Sequence, residues 1–270
     1  MDSFYEHWTK FQHTSSLDEI QTYYKTNKQY IDQNAVFRCC CKYGRLNIAQ
    51  WLYSLGNISM QNCGDLAFQY SCENGYLDVA KWLYSIGANI HAYEEYNFRR
   101  SCENGHLNLA QWLHSLGKIN VSVQDDYAFR RSCENGHLHV AQWLYTLGGI
   151  DIHARHDAAF RWSCQHGFLN VAQWLYSLGG VNIDAFDDYD CHYDCHYDGE
   201  CAFVLSCKFG NLHVAKWLYS IGADIRTGND LALKISCRHD FCDINVAQWL
   251  TGVYYKSMIS KLDTYFSFIF

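Results

Sequence analysis

An all-α fold, a solenoid of stacked helix pairs joined by short links, is what the 270-residue sequence predicts, and three observations predict it. The chain aligned against itself repeats one phrase of about 31 residues seven times. Trp51, Trp82, Trp112, Trp143, Trp174, Trp217 and Trp249 keep the period, at spacings of 31, 30, 31, 31, 43 and 32. Each copy also holds two short segments with apolar residues at helical spacing, divided by a glycine. Finally, one copy alone has too little apolar surface to fold, so neighbours must stack.

The elements follow in chain order. Residues 1–33 read as a degenerate N-terminal capping repeat. In it, "SLDEIQTYYKTNKQYID" (Ser16 to Asp32) aligns with a second helix, Leu17 on Leu46 and Gln21 on Gln50, and "FYEHWTKFQH" precedes it. Seven repeats are expected over 34–255, among them "YAFRRSCENGHLHVAQWLYTLGG" from Tyr127 and "AAFRWSCQHGFLNVAQWLYSLGG" from Ala158. The first helix of a copy, such as Ala128 to Asn135, is expected to start after Asn34, Asp65, Glu95, Asp126, Asp157 or Asp230. An oxygen there can cap the free amides of the first turn. Gly44, Gly75, Gly105, Gly136, Gly167 and Gly210 then end the helix, where a left-handed backbone favours a residue without Cβ. The second helix, such as Leu138 to Leu147, places Leu138, Ala141, Leu144 and Leu147 on one stripe. A further glycine closes it, and "IDIHARHD" (Ile150 to Asp157) reads as a short extended link. The last repeat is frayed. Residues 256–270 form an apolar aromatic tail, read either as a cap over that repeat or as a segment that docks a partner or membrane surface.

Composition narrows the function. There are 21 basic and 28 acidic residues, a formal charge of −7, which argues against a nucleic-acid partner. "MDSFYEHWTKFQH" has no apolar signal-peptide core, and no run of about 18 apolar residues is present to span a membrane. With no export signal, the 14 cysteines are expected as reduced thiols and the compartment as cytoplasmic.

"AFRRSCENGHLHVAQWLYTLGGIDIHA" resembles the ankyrin repeat. Phe129 falls on the Leu of that family's Thr-Pro-Leu-His, Ser132 and Cys133 on its Ala-Ala, and Gly136-His137-Leu138 on its Gly-His-Leu. Gly87-Ala88-Asn89-Ile90-His91-Ala92 falls on its closing Gly-Ala-Asp-Val-Asn-Ala. The proline-free dialect, with Ser-Cys-Glu-Asn-Gly-His and Ala-Gln-Trp-Leu-Tyr-Ser-Leu-Gly, resembles the ankyrin paralogues encoded by giant DNA viruses of amoebae. The Thr-Pro start is missing throughout, and only six steps separate Ala154 from Phe160, so the fingers between repeats should be stubby.

The resemblance implies a non-enzymatic scaffold for protein–protein interaction, meeting a host or viral protein of unknown identity on its concave face. No cofactor is expected, and a monomer is. By that resemblance the variable positions Tyr70, Arg100, Arg131 and Trp162 would line an aromatic and basic groove, with Tyr93, Arg155 and Phe186 at the link tips. Weak constraint on surface positions would produce the same variation. Arg99, Arg130 and Arg161 add a basic run beside this row. The recurrent Cys41, Cys72, Cys102, Cys133, Cys164, Cys207 and Cys237 read as small buried apolar groups between helices. The tryptophans read as packing between neighbouring repeats, and His106 and His137 as ligands of neighbouring loops. No nucleophile elbow or phosphate loop is present.

One segment offers a different chemistry. The spacing of 43 between Trp174 and Trp217 exceeds its neighbour of 31 by twelve, the length of "YDCHYDCHYDGE" at 189–200. This insert reads as a tandem duplication that lengthens one finger. The alternative is a zinc or redox site made by Cys191, His192, Cys195 and His196, although structural zinc sites use tighter Cys-x-x-Cys turns.

Overall fold

The structure is a computed structural model and describes residues 16–89, 95–117, 119–185, 201–237 and 243–269, with only the backbone described at 61, 62, 257, 258 and 260–269. Among the described residues there are α-helices and single 3-10 and π turns, and no strand. The chain forms two compact units, Met1–Val123 and Gln124–Phe270.

The first unit contains α1 (Leu17–Asn27), α2 (Gln33–Lys42), α3 (Leu46–Ser54), α4 (Asp65–Glu73), α5 (Leu77–Ser85), α6 (Tyr96–Glu103) and α7 (Leu107–Ser115). The second contains α8 (Val123–Glu134, its first residue at the boundary), α9 (Leu138–Thr146), α10 (Ala154–Gln165) and α11 (Leu169–Ser177). It continues with α12 (Ala202–Lys208), α13 (Leu212–Ser220), α14 (Thr227–Ser236) and α15 (Ile244–Ile269). Within each unit the first helices of successive pairs stack side by side, α2 on α4 on α6 and α10 on α12 on α14.

The glycine between paired helices does what its position demands. At Gly136 and Gly167 the backbone is left-handed (φ +78° and +80°). The chain closes there with a six-to-one bond from the Phe168 amide to the Ser163 carbonyl, 2.8 Å, as in a Schellman turn. Glycine is required a second time by the neighbour. A Cβ on Gly136 would lie 2.4 Å from the Phe168 ring, and one on Gly75 would lie 2.5 Å from the His106 ring. Each turn is thus the floor on which the next turn sits.

The core of the first six repeats is one phenylalanine each, and Leu233 takes that place in the last. Phe37, Phe68 and Phe98 are buried in the first unit, and Phe129, Phe160 and Phe203 in the second. From the second helices the buried stripe is Val140, Ala141 and Leu144, while the predicted Leu138 and Leu147 are half-buried at its edges. The tryptophans are half-buried and join repeats, as the sequence suggested. Trp82 meets Phe37 and Tyr53 of the preceding repeat, and Trp112 meets Phe68 and Tyr84. In the second unit Trp174 meets Phe129 and Tyr145, Trp217 meets Phe160 and Tyr176, and Trp249 meets Phe203 and Tyr219. All these centroid distances lie between 5.8 and 6.5 Å. The same contact starts at α1, where Tyr24, in register with Tyr53, stands edge-on to Trp51 at 5.2 Å.

Two local expectations are corrected. Three links of the second unit are short but not extended. Gln124-Asp125-Asp126, Arg155-His156-Asp157 and Gly228-Asn229-Asp230 are each three consecutive left-handed residues, with φ between 54° and 64°. An Asx turn leads into two of them, with the Asp151 carboxylate accepting the His153 amide (2.9 Å) and Asp224 the Arg226 amide (2.9 Å). Left-handed backbone costs a non-glycine residue about 1–2 kcal/mol, so these turns persist only because other groups hold them.

The acidic residues also work differently from simple helix caps. Asp126 Oδ2 accepts the Asp151 amide (3.0 Å), Asp157 Oδ2 the Asn182 amide (3.1 Å) and Asp65 Oδ1 the Asn89 amide (3.2 Å). Each carboxylate therefore ties its own link to the following one. An ordinary capping carboxylate does occur at the start of α2, but it is Asp32, accepting the Asn34 and Ala35 amides.

The recurrent cysteines Cys41, Cys72, Cys102, Cys133, Cys164 and Cys207 are free and buried, filling the small-residue place between helices. Cys237 in the frayed repeat is exposed, which corrects the expectation for that copy. Burial pushes the Cys207 thiol up to about 12 and raises those of Cys72, Cys102, Cys133 and Cys164 as well. At the other end, α15 runs unbroken over 26 residues through Gly252. Tyr254 holds it to the last link by donating to the Ile225 carbonyl (2.7 Å) and the Asp230 carboxylate (2.9 Å).

Two outcomes follow from this packing. Gly136→Ala should lose more than about 2 kcal/mol in urea denaturation, from backbone strain plus the Phe168 clash. Gly179→Ala, at φ +87° with nothing within 4 Å of its Cβ, should lose only the strain, about 1 kcal/mol. Equal losses would show that the turn-on-turn contact contributes nothing. In alkylation at pH 8 followed by peptide mapping, Cys237 should react at least about a hundredfold faster than Cys72, Cys102, Cys133, Cys164 and Cys207. Labelling of the buried set at the Cys237 rate would contradict their burial.

Candidate partner-binding surface

The variable residue before Ser-Cys sits on the last turn but one of each first helix. In the first unit this row holds Tyr70 on α4 and Arg100 on α6, and both are half-buried. Tyr70 lies under the Lys42 ammonium, 5.6 Å from its ring centroid, with Tyr43 at 5.7 Å from the same cation. Arg100 stacks on the Tyr96 ring (5.3 Å), donates to the Tyr96 hydroxyl (3.0 Å) and pairs with Glu103 (2.8 Å). The Tyr96 hydroxyl in turn donates to Glu73 (2.9 Å), and Glu73 lies 3.8 Å from Arg100. The Tyr96 hydrogen bond and then Glu103 raise the Arg100 pKa, so its charge is secure, and its side chain remains 37% exposed.

In the second unit the row holds Arg131 on α8 and Trp162 on α10, and here the structure brings two predicted residues together. The Arg131 guanidinium lies 5.6 Å from the Trp162 ring and 5.2 Å from Tyr127, with Glu134 at 2.7 Å. In the same unit Leu205 and Ile235 are buried, so there the variable position reaches the surface at Arg131 and Trp162 and not in the later repeats. Arg155 is at a link tip, half exposed and paired with Asp125 at 3.1 Å. Tyr93 and Phe186 lie outside the described residues, as do Cys191, His192, Cys195 and His196. Among the described residues no group of three or more His, Cys, Asp or Glu is placed to hold a metal ion.

This geometry corrects the expected basic character. Arg100 and Arg131 each carry a carboxylate three residues on, the Glu of Ser-Cys-Glu, so the row presents neutralised guanidinium groups stacked on aromatic rings. The i,i+3 spacing in "RSCE" is the signal that identifies Glu103 and Glu134 from sequence. Such a surface offers flat apolar area together with directed N–H donors, a combination common in interface hot spots.

The basic run lies beneath this row, with the Arg130 guanidinium 5.4 Å from the Trp162 ring centroid and Arg99 5.9 Å from that of Tyr96. Arg130 and Arg161 are buried and turn toward the links. Arg130 donates to the carbonyls of Asp125 (2.6 Å) and Gln124 (3.0 Å), and Arg161 to those of His156 (2.9 Å) and Arg155 (3.2 Å). Burial, and then the nearby Arg155 charge, lower the Arg130 pKa to about 10, opposed by Asp125. Charge-assisted bonds of this kind contribute about 1.5–3 kcal/mol each, enough to offset the left-handed backbone. His106 bonds the Glu73 carbonyl at 3.0 Å, a ligand of the neighbouring loop as its position suggested.

Known proteins place this arrangement. Residues 37–83 match the family model for ankyrin repeats in many copies. No curated protein matches the sequence of the chain. Among the 284 chains of solved structures that match is the ankyrin repeat domain of human ASB11. It superposes with a TM-score of 0.56 at 16% identity, covering 80% of this chain and 96% of that one. No helix among the described residues is long and apolar enough to cross a membrane. The helix pairs of this chain therefore have the ankyrin-repeat fold, and residues 37–83 carry the sequence pattern of that family.

Proposed function

We propose that the chain is a non-enzymatic ankyrin-type scaffold, and that a host or viral protein docks on the row of Tyr70, Arg100, Arg131 and Trp162. The organisation we favour is a capping segment at 1–33, seven repeats over 34–255 with an insert at 189–200, and a terminal segment at 256–270. The observation that carries the reading is the repeated guanidinium–aromatic stack at Arg100–Tyr96 and Arg131–Trp162, half-exposed on first helices whose buried faces are otherwise uniform. A conserved core with variable exposed positions on one helix row is how repeat proteins separate folding from recognition. The dialect shared with ankyrin paralogues of amoebal viruses supports the choice of partner class and a cytoplasmic setting.

Arg100→Glu with Arg131→Glu places like charges beside Glu103 and Glu134 and removes the donors. In pull-downs from amoebal lysate, with thermal unfolding checked in parallel, the double variant should retain less than about one tenth of the specifically bound protein. A partner retained undiminished by a folded double variant would refute the docking row.

A further inference from the structure

Three links of the second unit share a construction whose consequence reaches the surface. In each left-handed triplet the first two residues are exposed: Gln124-Asp125, Arg155-His156 and Gly228-Asn229. The third residue is Asp126, Asp157 or Asp230, and each carboxylate is drawn into the protein, to the Asp151 amide, the Asn182 amide and the Tyr254 hydroxyl respectively. The carbonyls of the exposed pair are held from behind by a basic side chain on the following helix. Arg130 and Arg161 each hold two carbonyls, and Lys234 holds that of Asn229 at 2.6 Å. The three links differ in every tip side chain and have the same backbone, with φ from 54° to 64°.

We infer that these tips are two-residue displays of fixed backbone, and that Arg130, Arg161 and Lys234 are the positioning residues that set how the displayed pair meets a partner. The Arg155 side chain reaches across to the Asp125 carboxylate of the preceding tip, whereas the bonds from Arg130 and Arg161 that hold each turn go to its backbone carbonyls. The first unit marks the limits of the device. Gln69 occupies the corresponding place on α4, and the link before it makes a right-handed π turn, Met60–Gly64. A basic residue alone is not sufficient, since Arg38 follows a link that Asp32 caps in the ordinary way. In the sixth repeat the place is taken by the buried Val204, and that repeat is the one whose link contains the insert at 189–200. In the three described links of the second unit the basic residue and the left-handed turn occur together; at Gln69, where the basic residue is absent, the described link makes the π turn instead.

The role in partner contact rests on the scaffold reading above, but the display itself is testable on the isolated chain. A protease must draw the scissile bond into an extended conformation, which a left-handed turn with both carbonyls bonded resists. Trypsin cleavage after Arg155 should therefore rise at least tenfold in Arg161→Gln, with cleavage after Lys216 in the same unit unchanged. Arg161→Lys should cleave like the parent chain, because Lys234 shows that an ammonium can hold such a turn. Should Arg161→Gln fail to fold, Arg130→Gln can be read by cleavage before Asp125 with an Asp-specific protease, again expected to rise at least tenfold. No acceleration in a folded Gln variant, or equal acceleration in Arg161→Lys, would overturn the inference. Unchanged binding of a partner in a variant whose tip has become labile would instead refute only the use of the tips in docking.

Discussion

Within each unit, Trp82, Trp112, Trp174, Trp217 and Trp249 complete the core of the preceding repeat. Trp174, for example, rests between Phe129 of one helix and Tyr145 of the next, both in the repeat before its own. A single helix pair leaves Phe129 without a lid and Tyr145 without a partner, so order in one repeat depends on order in its neighbour. Burying an aromatic ring contributes more than any other side chain in these short helices, and edge-on geometry adds to it. The remaining devices work within the register this contact sets.

Those devices hold polar backbone where helices cannot. The nine-residue helices leave many free amides and carbonyls for their length, and the links between them are too short for a hairpin. Glycine turns answer part of this, each serving as the floor for the next. Carboxylates such as Asp157 answer another part by bonding an amide one repeat onward, and buried guanidinium groups answer the rest by bonding the carbonyls of a left-handed link. The interactions run consistently from one repeat to its neighbour, so the periodic sequence is also a periodic bonding scheme.

Much of this is legible in the sequence alone. The tryptophan period, the glycine between helices and the small cysteine all report packing, and packing recurs once per repeat. The links were misread because Gln124, Asp125, Arg155 and His156 carry no strong signal for positive φ; that preference belongs to Gly and, more weakly, to Asn and Asp. What holds the backbone there is Arg130 or Arg161, five and six residues away, and its role becomes visible only once the turn is known. The surface row is legible as a set of variable positions. Its electrostatics are not, because the residue after the recurrent cysteine varies from copy to copy and its pairing with the arginine three residues before is established only by the side-chain geometry.

The dependence of one repeat on the next is most directly measured by a double-mutant cycle across a repeat boundary. Tyr145→Leu, Trp174→Leu and the double variant, compared by urea denaturation followed by circular dichroism, isolate the Tyr–Trp contact from the burial of either ring. The account predicts a coupling of about 0.5–1.5 kcal/mol, with both single variants destabilised. Strict additivity, within about 0.3 kcal/mol, would contradict it and would leave the tryptophan as packing for its own repeat alone.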